Sequence, residues 1–127
     1  PQFTGGGVVF APKPRDFSQK INKKLRDIAF ASAVSEKIRQ GEVVILDEIN
    51  FADAKTKAAS EFVKAFGLNK RAVVVTNGNN QNVIRATANI QKLNCVDVNL
   101  LNVCEVVENT YLVFTKDAIK KLEEAYV

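Results

Sequence analysis

Two nearly continuous apolar runs constrain this chain most: Glu42-Val43-Val44-Ile45-Leu46-Asp47 and Ala72-Val73-Val74-Val75-Thr76. A strand with one face in water alternates apolar and polar residues, whereas a strand covered on both faces does not need to. Both runs therefore predict strands buried on both faces of a parallel sheet.

The intervening segments carry helical spacing. Asn22 is a good N-cap, and helix is predicted from about Lys23 to Gln40, stopping at Gly41. Leu25, Ile28, Ala29, Ser32 and Ala33 make one face of it, and Phe30, Val34 and Ile38 make a second. A helix apolar on two faces is covered on two sides, one of them the sheet. A helix over 55–66 turns Ala59, Phe62, Val63 and Phe66 inward and ends at Gly67. Asn77-Gly78-Asn79-Asn80 signals a loop, with helix over roughly 80–91. Cys95 to Val98 reads as a strand, Leu101 to Val107 as a short helix, and Tyr111 to Phe114 as another strand. Thr115 is expected to cap a last helix carrying Asp117 in its first turn and Ile119, Leu122 and Tyr126 inward. Strands alternating with helices at this rhythm predict βαβ units. The expectation is a three-layer α/β/α fold with a mostly parallel sheet of about four strands, over residues 21–127. An extended basic arm, residues 1–20, precedes it.

The 127 residues are 46% hydrophobic and 25% charged, as in a single globular domain. No run of about 18 apolar residues is present, so no membrane partner is expected. Cys95 and Cys104 stand nine positions apart, which is no zinc spacing, and they read as two reduced, partly buried thiols. There is no histidine, which removes Ser-His and Cys-His catalysis and most metal chemistry.

Net charge is +4, but it is unevenly placed. Residues 1–39 hold eight basic side chains against three acidic ones, and residues 40–127 hold ten against eleven. A basic end on a near-neutral domain is a footprint for a polyanion, set against the plainer reading of a solvated face. Lys13, Arg15, Lys20, Lys23, Lys24 and Arg26 lie within fourteen residues, with Phe10 and Phe17 interleaved. Spaced cations on an extended arm can each reach a separate phosphate, while rings stack on unpaired bases or lodge in a groove. Gly5, Gly6 and Gly7, after Phe3 and Thr4, let backbone approach a polyanion closely, and Pro12 and Pro14 keep the next segment extended. Ser18 and Gln19 add hydrogen-bond donors for phosphate or a 2′-hydroxyl. Val8-Val9-Phe10 is an apolar patch expected to dock somewhere, the arm being anchored at its C-terminal end.

Two other candidates compete. Asn77-Gly78-Asn79-Asn80 sits where doubly wound folds bind ligands, but it is not a GxGxxG, and no GxxxxGK[ST] occurs. Asp47-Glu48, near Asp53, puts carboxylates at a strand end, where they hold metals or act as acid and base. With no histidine beside them, the simpler expectation is that Asp53 caps the next helix. These residues define an alternative function, a small nucleotide- or anion-binding domain with a regulatory or enzymatic role. A third possibility is an interaction module whose basic arm meets an acidic protein.

The ordered stretch Pro1-Gln2-Phe3, Gly5-Gly6-Gly7-Val8-Val9-Phe10, Pro12-Lys13-Pro14-Arg15-Asp16-Phe17-Ser18, Lys20 and Asn22-Lys23-Lys24 resembles the bacterial-type family of the fourth protein of the large ribosomal subunit. Lys55-Thr56-Lys57 and the closing Val113-Phe114-Thr115-Lys116-Asp117-Ala118 are similar too. That family has an N-terminal strand and helix and then a long basic loop, so the chain is expected to be a fragment that begins on the loop's returning limb. The resemblance implies a structural protein of the ribosome that joins the large subunit early, with its loop running inward along the peptide exit tunnel. The implied partners are large-subunit rRNA and neighbouring large-subunit proteins, with no cofactor, metal, small-molecule substrate or catalysis. The implied location is the cytoplasmic ribosome or an organellar one.

Overall fold

The computed structural model describes residues 2–78 and 80–126, without the side chain of Tyr126. Pro1, Asn79 and the Tyr126 side chain, which figured in the expectations above, therefore lie outside the described residues. The elements are α1 (Lys23–Arg39), β1 (Val43–Leu46), α2 (Thr56–Ala65), β2 (Ala72–Thr76), α3 (Gln81–Thr87), β3 (Leu93–Asp97), α4 (Val103–Glu108), β4 (Tyr111–Thr115) and α5 (Lys116–Tyr126).

The four strands form one sheet in the order β1-β4-β2-β3, and every pairing is parallel. On one face Phe30 of α1, Val106 of α4 and Ala118 of α5 pack on Val73, Val75, Leu112 and Phe114. On the other, α2 and α3 bring Phe62, Val63 and Val83 onto Val74, Val113, Ala72 and Leu93. This is the expected three-layer α/β/α arrangement.

Position in the sheet separates the two apolar runs. β2 is central, and all five of its residues are buried. β1 pairs only with β4, and Ile45 is 62% exposed, so the expected burial on both faces is corrected for this strand. β3 starts two residues earlier than predicted because Leu93 pairs with Ala72 and enters the core. α3 is shorter than predicted. After Thr87, turns closed by Ile90 N–H on the Thr87 carbonyl and Leu93 N–H on the Ile90 carbonyl lead into β3.

Glycine ends two helices by the same device. Gly41 has φ +71° and Gly67 φ +62°, the left-handed region that favours glycine. The Glu42 N–H reaches the Lys37 carbonyl and the Gly41 N–H that of Ile38, while Leu68 reaches Val63 and Gly67 reaches Lys64. Both are Schellman motifs, which satisfy carbonyls orphaned at a helix end. Leu68, delivered by the second motif, is buried against the same core as Val63.

The predicted caps fare differently. Asn22 is the N-cap of α1, but its backbone carbonyl takes the bonds, from the N–H groups of Leu25 and Arg26, without a side-chain cap. Lys55, not Asp53, is the N-cap of α2, and the Asp53 carboxylate instead holds Lys55 Nζ at 2.8 Å. The Thr115 hydroxyl donates to the Val75 carbonyl of the neighbouring strand at 3.4 Å. The cap that sequence reading overlooked is Asn102, whose side chain accepts the Glu105 N–H at 2.9 Å.

Candidate nucleic-acid interface

Residues 2–22 contain no helix or strand, and each of them is exposed. Val8, Val9 and Phe10 dock on nothing, and Phe10 is 94% exposed. The expected docking of this patch is thus corrected: five helices cover most of both sheet faces, and the patch does not reach the apolar residues left exposed, such as Ile45.

The segment has two local folds. Phe3, Thr4, Gly5 and Gly6 make a turn closed by the Gly6 N–H on the Phe3 carbonyl at 2.9 Å, and Gly5 at its third position has φ +77°. Positive φ there is what a type II turn demands. Gly7 follows it, with open space where a Cβ would stand. Further on, Asp16 accepts the Ser18 N–H at 2.8 Å and the Ser18 hydroxyl at 2.9 Å. The backbone bond first, and the hydroxyl second, hold the Asp16 carboxyl below its ordinary range. The Ser18 hydroxyl proton is thus already donated, which leaves its oxygen able to accept but not the hydroxyl to donate, unlike the donor role expected of it. Across this turn the Arg15 guanidinium lies 4.1 Å from the centroid of the Phe17 ring.

Among the described residues, Lys13, Arg15, Lys20, Lys23, Lys24 and Arg26 form no ion pair. Gln19 and all six cations are exposed. The other two cations of the basic end differ: Lys37 is paired with Glu42 and Arg39 with Glu36. Within residues 1–39 the unpaired cations are thus confined to the segment before α1 and that helix's first turn, although cations farther along, such as Lys57, Lys64 and Arg85, also form no ion pair among the described residues. The first helix also carries a bare stripe. Phe30, Ala33 and Val34 pack on the sheet, whereas Leu25, Ile28, Ala29, Ser32 and Ile38 are exposed.

The competing sites have the wrong electrostatics for phosphate. At the carboxyl ends of β1, β2 and β4 a crevice of about 150 Å³ is lined by Asp47, Glu48, Asp117, Thr76, Asn77, Asn80, Ile49 and Thr115. Of the three carboxylates there Asp47 faces Lys116 Nζ at 3.5 Å, and Glu48 and Asp117 form no ion pair among the described residues, so the lining stays net negative and repels an anion. The loop groups are also engaged: the Gly78 N–H donates to Asp97 Oδ1 at 3.1 Å, and Lys121 Nζ to Asn77 Oδ1 at 3.2 Å. Among the described residues no group of three His, Cys, Asp or Glu side chains could hold a metal ion. Both cysteines are free; burial pushes the Cys95 thiol up, away from thiolate chemistry, whereas Cys104 is exposed rather than partly buried. No helix among the described residues is long and apolar enough to cross a membrane.

The model of the ribosomal protein L4/L1 family matches residues 1–125. The chain belongs to this family. Large ribosomal subunit protein uL4 of Natranaerobius thermophilus is 42% identical over 126 residues. The protein of the same name from Lachnospira eligens is 45% identical over 126 residues, and that of Clostridium beijerinckii 39%. Each comparison covers 99% of the chain but 61% of the relative, so the chain spans about three-fifths of the length of these L4 proteins. Family membership agrees with the resemblance carried by the N-terminal motif, which sequence reading had placed. Sequence reading missed the pairing of Arg15 with Phe17, although Asp16-Phe17-Ser18 carries the signature of an Asx turn.

Proposed function

We propose that this chain is a structural, non-catalytic constituent of the large ribosomal subunit and that residues 1–20, with the first turn of α1, bind rRNA. Residues 21–127 are the platform. The observation that carries the reading is the set of six unpaired cations on an exposed segment, interleaved with the exposed rings of Phe10 and Phe17. Counter-ion release at phosphates supplies the affinity, and Phe3, Thr4, Gly5, Gly6, Gly7, Ser18 and Gln19 supply backbone and polar contacts. The names of the relatives support the ribosomal setting. A role in early subunit assembly, neighbouring large-subunit proteins as partners, a loop along the exit tunnel and a place on a cytoplasmic ribosome belong to the same proposal.

The test is binding to large-subunit rRNA across a salt series. If all six cations engage, log K falls with log salt at a slope of roughly 4 to 5. Reversing Lys13, Arg15, Lys23 and Lys24 to Glu abolishes binding while the far-UV circular dichroism is unchanged. Binding that survives this change at moderate salt overturns the proposal. The alternative of a nucleotide- or anion-binding domain predicts a thermal shift with a phosphometabolite, and the acidic crevice at Asp47, Glu48 and Asp117 argues against it.

A further inference from the structure

Within the segment before α1, two pairs of side chains are already arranged against each other: Asp16 with Ser18, and Arg15 with Phe17. The guanidinium sits 4.1 Å from the ring centroid, and the ring is nevertheless 71% exposed. One face of Phe17 is therefore held by a cation and the other is open. The Asp16–Ser18 hydrogen bonds, 2.8 and 2.9 Å, close a turn around Phe17 that limits the backbone between the two residues. Pro14, with its fixed φ, limits the backbone on the other side. These local contacts remove part of the ordering that a flexible loop would undergo on binding, which favours affinity.

A pre-set ring with one open face, beside a guanidinium whose edge N–H groups remain free, matches a particular ligand chemistry. An aromatic plane stacks on the ring, and a phosphate oxygen meets the guanidinium edge. We propose that Arg15 and Phe17 form a stacking site for one unpaired nucleobase of RNA. A base inside a duplex has both faces covered by its neighbours, so the site selects single-stranded or bulged RNA over paired RNA. An acidic peptide would answer the cations but leave the ring's open face unused. This inference rests on the RNA-binding reading above and adds to it the class of RNA element that the segment takes.

The chain has no tryptophan, so Phe17→Trp introduces a single indole, excited selectively over the two tyrosines, at the site. The probes are a twelve-nucleotide oligoadenylate and an RNA duplex of twelve base pairs. Phe17→Trp is expected to bind the oligoadenylate at least as tightly as the parent chain, with its emission quenched on saturation, and the duplex is expected to leave the emission unchanged. Phe17→Leu should weaken oligoadenylate binding by roughly 5- to 100-fold, the usual worth of one stacked base, at an unchanged salt slope. Arg15→Lys keeps the charge but loses the planar stack, and should also weaken binding. The inference is overturned if Phe17→Leu binds like the parent or if the duplex quenches equally. A steep salt slope with no effect of Phe17→Leu would sink the stacking site and leave the rRNA-binding reading standing. Failure of the parent chain to bind either RNA would sink both.

Discussion

Lys37 Nζ lies 2.7 Å from the Glu42 carboxylate and 3.3 Å from the Thr110 carbonyl, so one lysine ties the end of α1 to the starts of β1 and β4. Its side chain is only 14% exposed. Lys37 belongs by sequence to the basic end but by structure to the scaffold.

Removing that charge should therefore be a stability event. Lys37→Met leaves Glu42 half-buried without its partner, and loss of a hydrogen bond to a charged group costs about 1.5–3 kcal/mol. Urea denaturation should show that loss, with RNA affinity of the folded fraction unchanged. A variant as stable as the parent would show the contact to be idle.

Gly41 and Gly67 should resist substitution for a backbone reason alone. A Cβ at either position meets nothing within 4 Å, but φ is +71° and +62°. Placing an L side chain in the left-handed region costs roughly 1–2 kcal/mol. Gly41→Ala and Gly67→Ala should each lower unfolding free energy by about that much, and the double variant by the sum, since the sites share no partner.

Asp97 makes the loop after β2 sensitive to acid. The Asn99 amide first, and then the Gly78 N–H, hold its carboxyl below the ordinary 3.8. A depressed value means that the folded state favours the carboxylate. The stabilisation is present above pH 3.8 and is lost as pH falls below it through the lowered value. The Gly78 amide chemical shift, followed by NMR, should change in that window, and Asp97→Asn should reproduce the change at pH 7. A Gly78 amide indifferent to both would remove Asp97 from the loop's support.

Deleting residues 2–20 should leave the melting temperature of the remainder within about one degree. Among the described residues, no hydrogen bond or ion pair joins that segment to the sheet or its helices. RNA binding should fall to background. A large drop in melting temperature would mean that the segment also serves the fold.

Much of this was readable from the chain because the governing forces are local. A β-branched run reports a strand, and a glycine after a helical pattern reports its end, as Gly41 and Gly67 show. The clustering of Lys13 to Arg26 reports a locally basic segment, on which the proposed RNA site rests, because charge per length of chain is read directly from the sequence. Other features were not readable because they depend on pairing between distant residues. The runs at β1 and β2 look alike, yet only strand order puts Ile45 at an edge and Val74 in the centre. Asp53 and Thr115 have the chemistry of caps, and Lys55 and the Val75 carbonyl drew them elsewhere. Val8, Val9 and Phe10 are apolar enough to pack, but five helices already cover most of both sheet faces. Sequence alone thus determined which elements form and where basic residues cluster, since neighbours along the chain decide both. Tertiary structure decided which lysines stay unpaired and which apolar residues stay bare, because each depends on what the other end of the chain brings alongside.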